Sequence, residues 1–121
     1  MHRLLKTTLA AAAVCLALAS TASAGSKLQE ILDAGVIRIG VSLGGEPIGF
    51  RDDQNNPVGY DVDVATMLAE KLGVKPEFTD VSGDARVSML VSNQLDLVVA
   101  NTSATLARAK AVSFSIPYNR A

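Results

Sequence analysis

Three predicted strands, separated by segments with helical periodicity, constrain the fold of this chain more than any other feature. The strands are Val36–Val41, residues 74–81 and residues 95–100, and the first and third are nearly continuous runs of apolar side chains. Such runs are typical of strands that are covered on both faces. Strand, helix, strand, helix, strand is the order that builds a parallel sheet with right-handed crossovers. The sequence therefore predicts an α/β fold with a parallel-rich sheet flanked by helices.

Capping residues indicate where the first two helices begin. Ser26 and Gln29 have the spacing of a capping box, which predicts a helix that ends at Gly35. Asp61 is a suitable N-cap for a second helix over residues 62–72. The expected buried faces are Leu28, Ile31 and Leu32 in the first helix and Ala65, Leu68 and Leu72 in the second.

The segment between the first strand and the second helix is irregular and rich in turn residues. It predicts a loop followed by a hairpin with arms near Phe50 and Val58. Phe50 and Tyr60 either line a ligand cleft or pack against this hairpin. Packing is the preferred interpretation for Tyr60, and Phe50 is kept as a candidate ligand-binding residue.

The last third of the chain carries two further helix patterns. One predicts a helix over residues 84–92, after which Asn93 can take the left-handed terminating position. Its expected apolar stripe is Val87, Leu90 and Val91. Thr105 is expected to cap a short helix that carries Arg108, and residues 112–114 are expected to form a last short strand.

The first 24 residues have the three-part plan of an export signal. Arg3 and Lys6 give a positive start, and residues 9–19 form an apolar stretch that is too short to span a bilayer. The small side chains of residues 22–24 suit a signal peptidase. We expect a signal peptide over residues 1–24, cut after Ala24, and one exported domain over residues 25–121.

Cleavage at that point would remove the only histidine, His2, and the only cysteine, Cys15. Disulfides, thiolate nucleophiles, serine–histidine triads and the usual zinc sites then lack their essential atoms. The loss of Arg3 and Lys6 would leave 9 basic residues of the original 11 against 12 acidic ones, a net charge near −3. No basic patch points to nucleic acid, and we expect neither a metal nor a cofactor.

The loop after the third strand is the richest in polar groups. In open α/β sheets the ligand lies beyond the carboxyl ends of the strands, where Asn101, Thr102 and Ser103 offer an amide and two hydroxyls. The following helix start has free N–H groups that favour an anion. Arg108 could take a carboxylate there through two parallel hydrogen bonds. The alternative is that Arg108 is a solvated surface charge or pairs with a nearby acid.

A second arginine begins the preceding helix. Arg86 could face the same crevice and favour a ligand with two carboxylates; alternatively it forms a surface ion pair with Asp84 or Glu77. Asp61 and Asp63 resemble the start of a calcium loop, but the apolar residues after them and the missing glycine reject that interpretation. These two aspartates are interpreted as charges at a helix start.

Four ordered motifs, over residues 59–65, 95–100, 105–110 and 114–118, together resemble solute-binding protein family 3. These proteins are the periplasmic receptors of polar amino-acid ABC transporters. The resemblance runs from about residue 28 to residue 118 and implies the first lobe of a type II periplasmic-binding-protein-like fold, truncated at Ala121 before the second lobe.

The resemblance also implies site residues and partners. Arg108 matches the arginine that holds the α-carboxylate of the ligand, helped by Ser103 and the main chain near Asn101. Arg86 matches an arginine of aspartate- and glutamate-binding members, which favours an acidic amino acid. The implied function is that of a non-enzymatic receptor that binds a free amino acid and docks on a membrane permease.

Departures from the family pattern leave alternatives open. Residues 45–48 replace a segment that often carries an aromatic ring, Ala107 replaces the usual acid before the arginine, and Ile116 replaces an acid in the last motif. A few relatives are dehydratases or lytic transglycosylases, and a sensor ectodomain is a further alternative. Because half a cleft leaves one side of a ligand in water, we expect the 121-residue chain alone to bind weakly or not at all.

Overall fold

The computed structural model describes residues 26–119, so the predicted signal peptide lies outside the described residues. Four helices and five strands are found within this range. In chain order they are α1 (Lys27–Ala34), β1 (Val36–Val41), β2 (Phe50–Arg51), β3 (Pro57–Val58), α2 (Tyr60–Leu72), β4 (Lys75–Asp80), α3 (Ala85–Val91), β5 (Leu97–Val99) and α4 (Leu106–Ala109). None of these helices is long and apolar enough to cross a membrane.

The predicted parallel sheet is confirmed. β1 lies between β4 and β5 and is parallel to both, with Val36 opposite Lys75 and Ile39 opposite Leu97. α2 lies in the connection from β1 to β4, and α3 joins β4 to β5. Because the three strands run in the same direction, the loops that follow them meet at one edge of the sheet, which we call the carboxyl edge.

The first helix and the hairpin also agree with the sequence. The Ser26 hydroxyl accepts a hydrogen bond from the backbone N–H of Gln29 at 3.2 Å, and Gly35 ends α1 with a φ of 68°. Phe50 of β2 lies opposite Val58 of β3 in an antiparallel pair. These features depend on neighbouring residues, which explains why local patterns were sufficient to predict them.

The predicted cap of α2 is wrong. The helix begins at Tyr60, and its N-cap is Gly59, which makes no side-chain capping bond. A β-carbon at Gly59 would stand 2.7 Å from the carbonyl oxygen of Ile48, and φ there is 117°, so glycine is the residue that fits this position. Asp61 therefore lies inside the first turn of the helix, where it is buried.

The core lies between β1 and α2. Ile39 and Val41 of β1 are fully buried, and Val62, Ala65 and Ala69 form the buried face of α2. Small alanines on that face allow the helix to approach the sheet closely. The predicted faces were therefore right at Ile31 and Ala65, and Leu72 is partly buried and packs against this core. Val87 and Leu90 are also partly buried, and the prediction was wrong at four positions. Leu28, Leu32, Leu68 and Val91 are 50%, 40%, 39% and 63% exposed.

The predicted strand over residues 112–114 is absent, since residues 111–119 contain neither helix nor strand. A strand requires a neighbouring strand for its backbone hydrogen bonds. Within the described residues β5 pairs with β1 alone, so no strand lies on its other side. The apolar residues of this segment instead line a cavity together with residues of β5.

Candidate functional site

A cavity of about 690 Å³ extends along β5 to the carboxyl edge of the sheet. Its apolar walls come from α3, β5 and the segment over residues 112–119. Its polar lining comes from the starts of α2 and α3, the loop after β5 and the end of the described chain. These polar residues include Asp61, Arg86, Asn101, Thr102, Ser103 and Tyr118.

Arg86 reaches from the first turn of α3 to the loop after β5. Its Nη1 donates to the backbone carbonyl oxygen of Asn101 at 2.7 Å and to the hydroxyl oxygen of Thr102 at 3.2 Å. Its Nε is buried and has no hydrogen-bond partner. The ion pairs found among residues 26–119 involve Lys27 and Arg38 only, so the alternative pairing of Arg86 with Asp84 or Glu77 is not formed.

Arg108 is also held by a neutral oxygen. Its Nη1 donates to the backbone carbonyl of Ser103 at 2.9 Å, and its backbone N–H donates to the Thr105 hydroxyl at 3.3 Å. The predicted Thr105 cap is therefore confirmed. α4 is only four residues long, so few peptide dipoles add up there and the expected attraction of its start for an anion is small. Arg108 itself does not line the cavity.

Asp61 is a buried carboxylate that also lines the cavity. It is 3% exposed; its Oδ1 accepts a hydrogen bond from the Tyr118 hydroxyl at 2.9 Å, and its Oδ2 has no partner. Burial and the Asp61 carboxylate raise the pKa of the Tyr118 hydroxyl, which keeps it protonated as the donor. The ring of Tyr118 stacks on that of Tyr60, with centroids 6.2 Å apart. This contact holds the end of the described chain against the start of α2.

The structure brings together three of the five predicted site residues. Arg86, Asn101 and Ser103 line the cavity, and Arg108 lies beside it through the carbonyl of Ser103. Phe50 is paired in the hairpin and does not line the cavity. Among residues 26–119, no group of three histidine, cysteine, aspartate or glutamate side chains is placed to hold a metal ion.

Sequence reasoning missed two residues of this cavity. Asp61 was interpreted as a helix-start charge, and Tyr118 was noted only as part of a motif. Their contact joins positions 57 residues apart. No local pattern reveals such a contact, although an aspartate among the buried positions of an amphipathic helix is a signal that it needs a polar partner.

A sequence profile of the bacterial extracellular solute-binding proteins, family 3, matches residues 37–121. The chain belongs to this family. The predicted type II periplasmic-binding-protein-like fold is thereby confirmed, together with the resemblance on which it was based.

Curated relatives of this family 3 protein include an enzyme and a probable transporter-binding protein. The cyclohexadienyl dehydratase of Pseudomonas aeruginosa is 34% identical over 112 residues, which are 90% of this chain and 42% of the relative. A probable amino-acid ABC transporter-binding protein of Haemophilus influenzae is 31% identical over 119 residues, 98% of this chain and 46% of the relative. The chain thus spans less than half the length of these relatives.

The chain is also similar to solved structures of amino-acid-binding proteins. An ancestral cationic amino acid solute binding protein matches with a TM-score of 0.73 and 36% identity, over 78% of this chain and 41% of its own. The arginine-bound form of domain 1 from TmArgBP matches with a TM-score of 0.69 and 35% identity. That match covers 74% of this chain and 71% of the domain 1 chain.

The first loop of this family 3 chain gives the cavity an aliphatic side chain. Ile48, from the segment in which the family often carries an aromatic ring, lines the cavity and is 36% exposed. Phe114 and Tyr118 are the aromatic residues in the cavity lining. Both come from the end of the described chain, so any stacking on a ligand by the described lining would have to come from that side.

Proposed function

We propose that this chain is part of an extracytoplasmic receptor that binds a polar amino acid and delivers it to an ABC transporter permease. Membership of the solute-binding proteins, family 3, supports the assignment to the solute-binding class. The observation that carries the proposal is the state of two arginines at the carboxyl edge. Arg86 and Arg108 make hydrogen bonds to neutral oxygens, and neither forms an ion pair among the described residues.

Such arginines are suited to an anionic group. A guanidinium gains most from a carboxylate that it can meet with two parallel hydrogen bonds. In the proposed receptor, Arg108, Ser103 and Asn101 contact the α-carboxylate, and Arg86 lies nearer the ligand side chain. Phe50 is not assigned a ligand contact, because it lies in the hairpin and outside the cavity lining.

The ligand side chain is proposed to be anionic or neutral. Arg86 would repel a cationic side chain, so aspartate and glutamate remain the predicted ligands. The named relatives include a cationic amino acid binder and an arginine-bound domain, and they do not support this preference. Glutamate, glutamine and arginine are therefore the informative ligands, because they separate charge from size.

A second candidate function follows from the dehydratase relative, since the cavity contains an acid. Asp61 is buried there, yet one of its oxygens is already used by Tyr118. Asp61 also belongs to residues 59–65, one of the motifs that resemble the receptors, so it does not favour the enzyme. Turnover of a cyclohexadienyl substrate that Asp61→Asn abolishes would replace the receptor proposal.

The test is an NMR titration of the 121-residue chain with the three amino acids. We expect glutamate to shift the backbone signals of Asn101 and Ser103 with an affinity that is millimolar or weaker, because a surface arginine–carboxylate pair contributes roughly 1 kcal/mol or less. Arginine should shift them less. Arg108→Lys keeps the positive charge but loses the two parallel N–H donors of the guanidinium. It should therefore weaken the shift of the NMR signals on adding glutamate.

Arg51→Lys is the matched control. Arg51 lies in the hairpin, where its Nη1 donates to the carbonyl of Asn55, and it does not line the cavity. It should titrate like the wild type. If no amino acid shifts the loop after β5, the receptor proposal fails for this chain. A micromolar affinity would contradict the expectation that half a cleft binds weakly.

A further inference from the structure

The contacts of Arg86 are concentrated on one nitrogen. Nη1 donates both to the carbonyl oxygen of Asn101 at 2.7 Å and to the hydroxyl of Thr102 at 3.2 Å. Nε is buried without an acceptor, and no hydrogen bond from Nη2 is found among residues 26–119. The guanidinium is therefore anchored at one end, while the edge formed by Nε and Nη2 has unused donors.

Anchoring one nitrogen fixes the direction of the others. A guanidinium is planar and presents its N–H groups in a rigid fork, so two acceptors on Nη1 determine where Nη2 points. The Asn101 acceptor belongs to the main chain and is present whatever side chain stands at that position. Thr102 supplies the acceptor that depends on sequence.

We infer that Thr102 is a positioning residue that orients Arg86 so that its free Nη2 can receive a carboxylate. The choice of ligand carboxylate rests on the proposed function, whereas the orientation of Arg86 does not. Thr102 does not need to touch the ligand, because it acts through Nη1. The chain thereby gains a preference for an acidic over an amide side chain from a hydroxyl group that carries no charge.

The inference is tested on the 121-residue chain by following the Nε–Hε NMR signals of Arg86 and Arg108 during a titration with sodium acetate at constant ionic strength. Acetate is a bare carboxylate, so the measurement does not require that an amino acid binds. In the wild type the Arg86 signal should move with increasing acetate. In Thr102→Val its response should weaken about fivefold, the effect of one neutral hydrogen bond. Thr102→Ser, which keeps the hydroxyl, should respond like the wild type.

The Arg108 signal is the internal control, because Arg108 is held by the carbonyl of Ser103 and should respond equally in all three proteins. If Thr102→Val does not fold, Thr102→Ala removes the same hydroxyl and replaces it in the comparison. An Arg86 signal that ignores acetate in the wild type overturns the inference, as does a valine or alanine variant that responds like the wild type.

A titration with glutamate and glutamine separates this inference from the receptor proposal. If the wild type prefers glutamate and the valine variant has lost about fivefold of that preference, both stand. If neither amino acid binds but Thr102 still controls the acetate response, the positioning role stands and the receptor proposal fails. If glutamate is preferred equally in both proteins, Thr102 does not set the preference and the inference is wrong.

Discussion

Arginine side chains have different hydrogen-bond partners at the two ends of the parallel strands. Near the start of β5, Arg38 binds a carboxylate: its Nε donates to Oδ2 of Asp96 at 3.0 Å and its Nη2 donates to Oδ1 at 2.6 Å. The Nη1 of Arg38 donates to the backbone carbonyl of Asn93 at 2.7 Å. At the carboxyl edge, Arg86 and Arg108 meet neutral oxygens only. An arginine that is paired with a carboxylate of the protein stabilises the fold. An arginine without an acidic partner is available to the carboxylate of a ligand.

The electrostatics of the Arg38 site agree with a structural role. Asp96 has a side chain that is only 5% exposed, and the hydrogen bonds from Arg38 hold the pKa of its carboxyl below the usual value. The same contact raises the pKa of Arg38. Arg38 also fastens the turn at Asn93, whose φ of 58° matches the predicted left-handed position, so the pair joins β1 to the connection between α3 and β5.

The largest expected effect comes from removing the partnered acid. Asp96→Ala leaves three donors of Arg38 without their acceptor, including its backbone N–H. Since the Arg38 side chain is 37% exposed and regains some water, we expect the free energy of unfolding to fall by about 2–3 kcal/mol. Urea unfolding followed by far-UV circular dichroism measures this, because the chain has no tryptophan.

Asp84→Ala is the control for this variant, because Asp84 is an exposed N-cap residue that makes no side-chain capping bond. It should change the free energy of unfolding by no more than about 0.5 kcal/mol. Equal losses from both variants would show that the Arg38–Asp96 contact does not stabilise the fold.

A direct comparison of the two ends of the strands uses the same substitution at both. Arg38→Met should lower the free energy of unfolding by about 2 kcal/mol, since it leaves buried Asp96 without its main partner. Arg86→Met should change it by less than about 1 kcal/mol, because the loss of two hydrogen bonds is offset by removal of the buried, unpartnered Nε. Urea unfolding of both variants gives the difference.

Arg86→Met should instead reduce the response to glutamate in the NMR titration. If Arg86→Met destabilises the fold as much as Arg38→Met does, the distinction between a structural role for Arg38 and a ligand-binding role for Arg86 is wrong. Arg51→Met, in the exposed hairpin, shows how much of either effect is general to the loss of a positive charge.

The smallest expected effect concerns pH. Asp96 has a lowered pKa in the folded state, so the stability that it contributes is complete above the unfolded value of about 3.9 and is lost as the pH falls through the lower folded value. We expect the difference in free energy of unfolding between the wild type and Asp96→Asn to shrink below about pH 4. Urea unfolding at several pH values between 7 and 3 measures this.

A background from Asp52 is expected in both proteins, since backbone N–H groups of Asn56 and Gln54 in the hairpin turn also lower the pKa of that carboxyl. The comparison of the wild type with Asp96→Asn removes this background. A difference that stays constant down to pH 3 would mean that the Asp96 carboxylate is not the stabilising species.

Local signals were reliable wherever the interacting groups are close in sequence. Ser26, Gly35 and Thr105 cap or end helices as predicted, because each acts on backbone groups within a few residues. Burial was less predictable. Leu28 and Leu32 have the spacing of a buried face, yet both are at least 40% exposed in the described part of the chain. Spacing indicates which side chains share a face, but not how much of that face is covered.

The candidate site shows the same division. The sequence indicated that the polar groups of Asn101 and Ser103 follow a buried strand, and the structure places both at the cavity. It did not indicate that Phe50 lies outside the cavity lining, or that Tyr118 reaches Asp61. Those outcomes depend on how the hairpin and the final segment pack against the sheet.

The sequence by itself determined which segments become strands and that they run parallel, most of the helix ends and the loops in which polar groups accumulate. Those properties follow from backbone preferences, apolar periodicity and short-range hydrogen bonds. Only the tertiary structure decided which arginine has a partner. Arg38 finds Asp96 58 residues away, and Arg86 finds the carbonyl of Asn101 15 residues away. Attraction between charges depends on distance in space, and separation along the chain does not determine that distance.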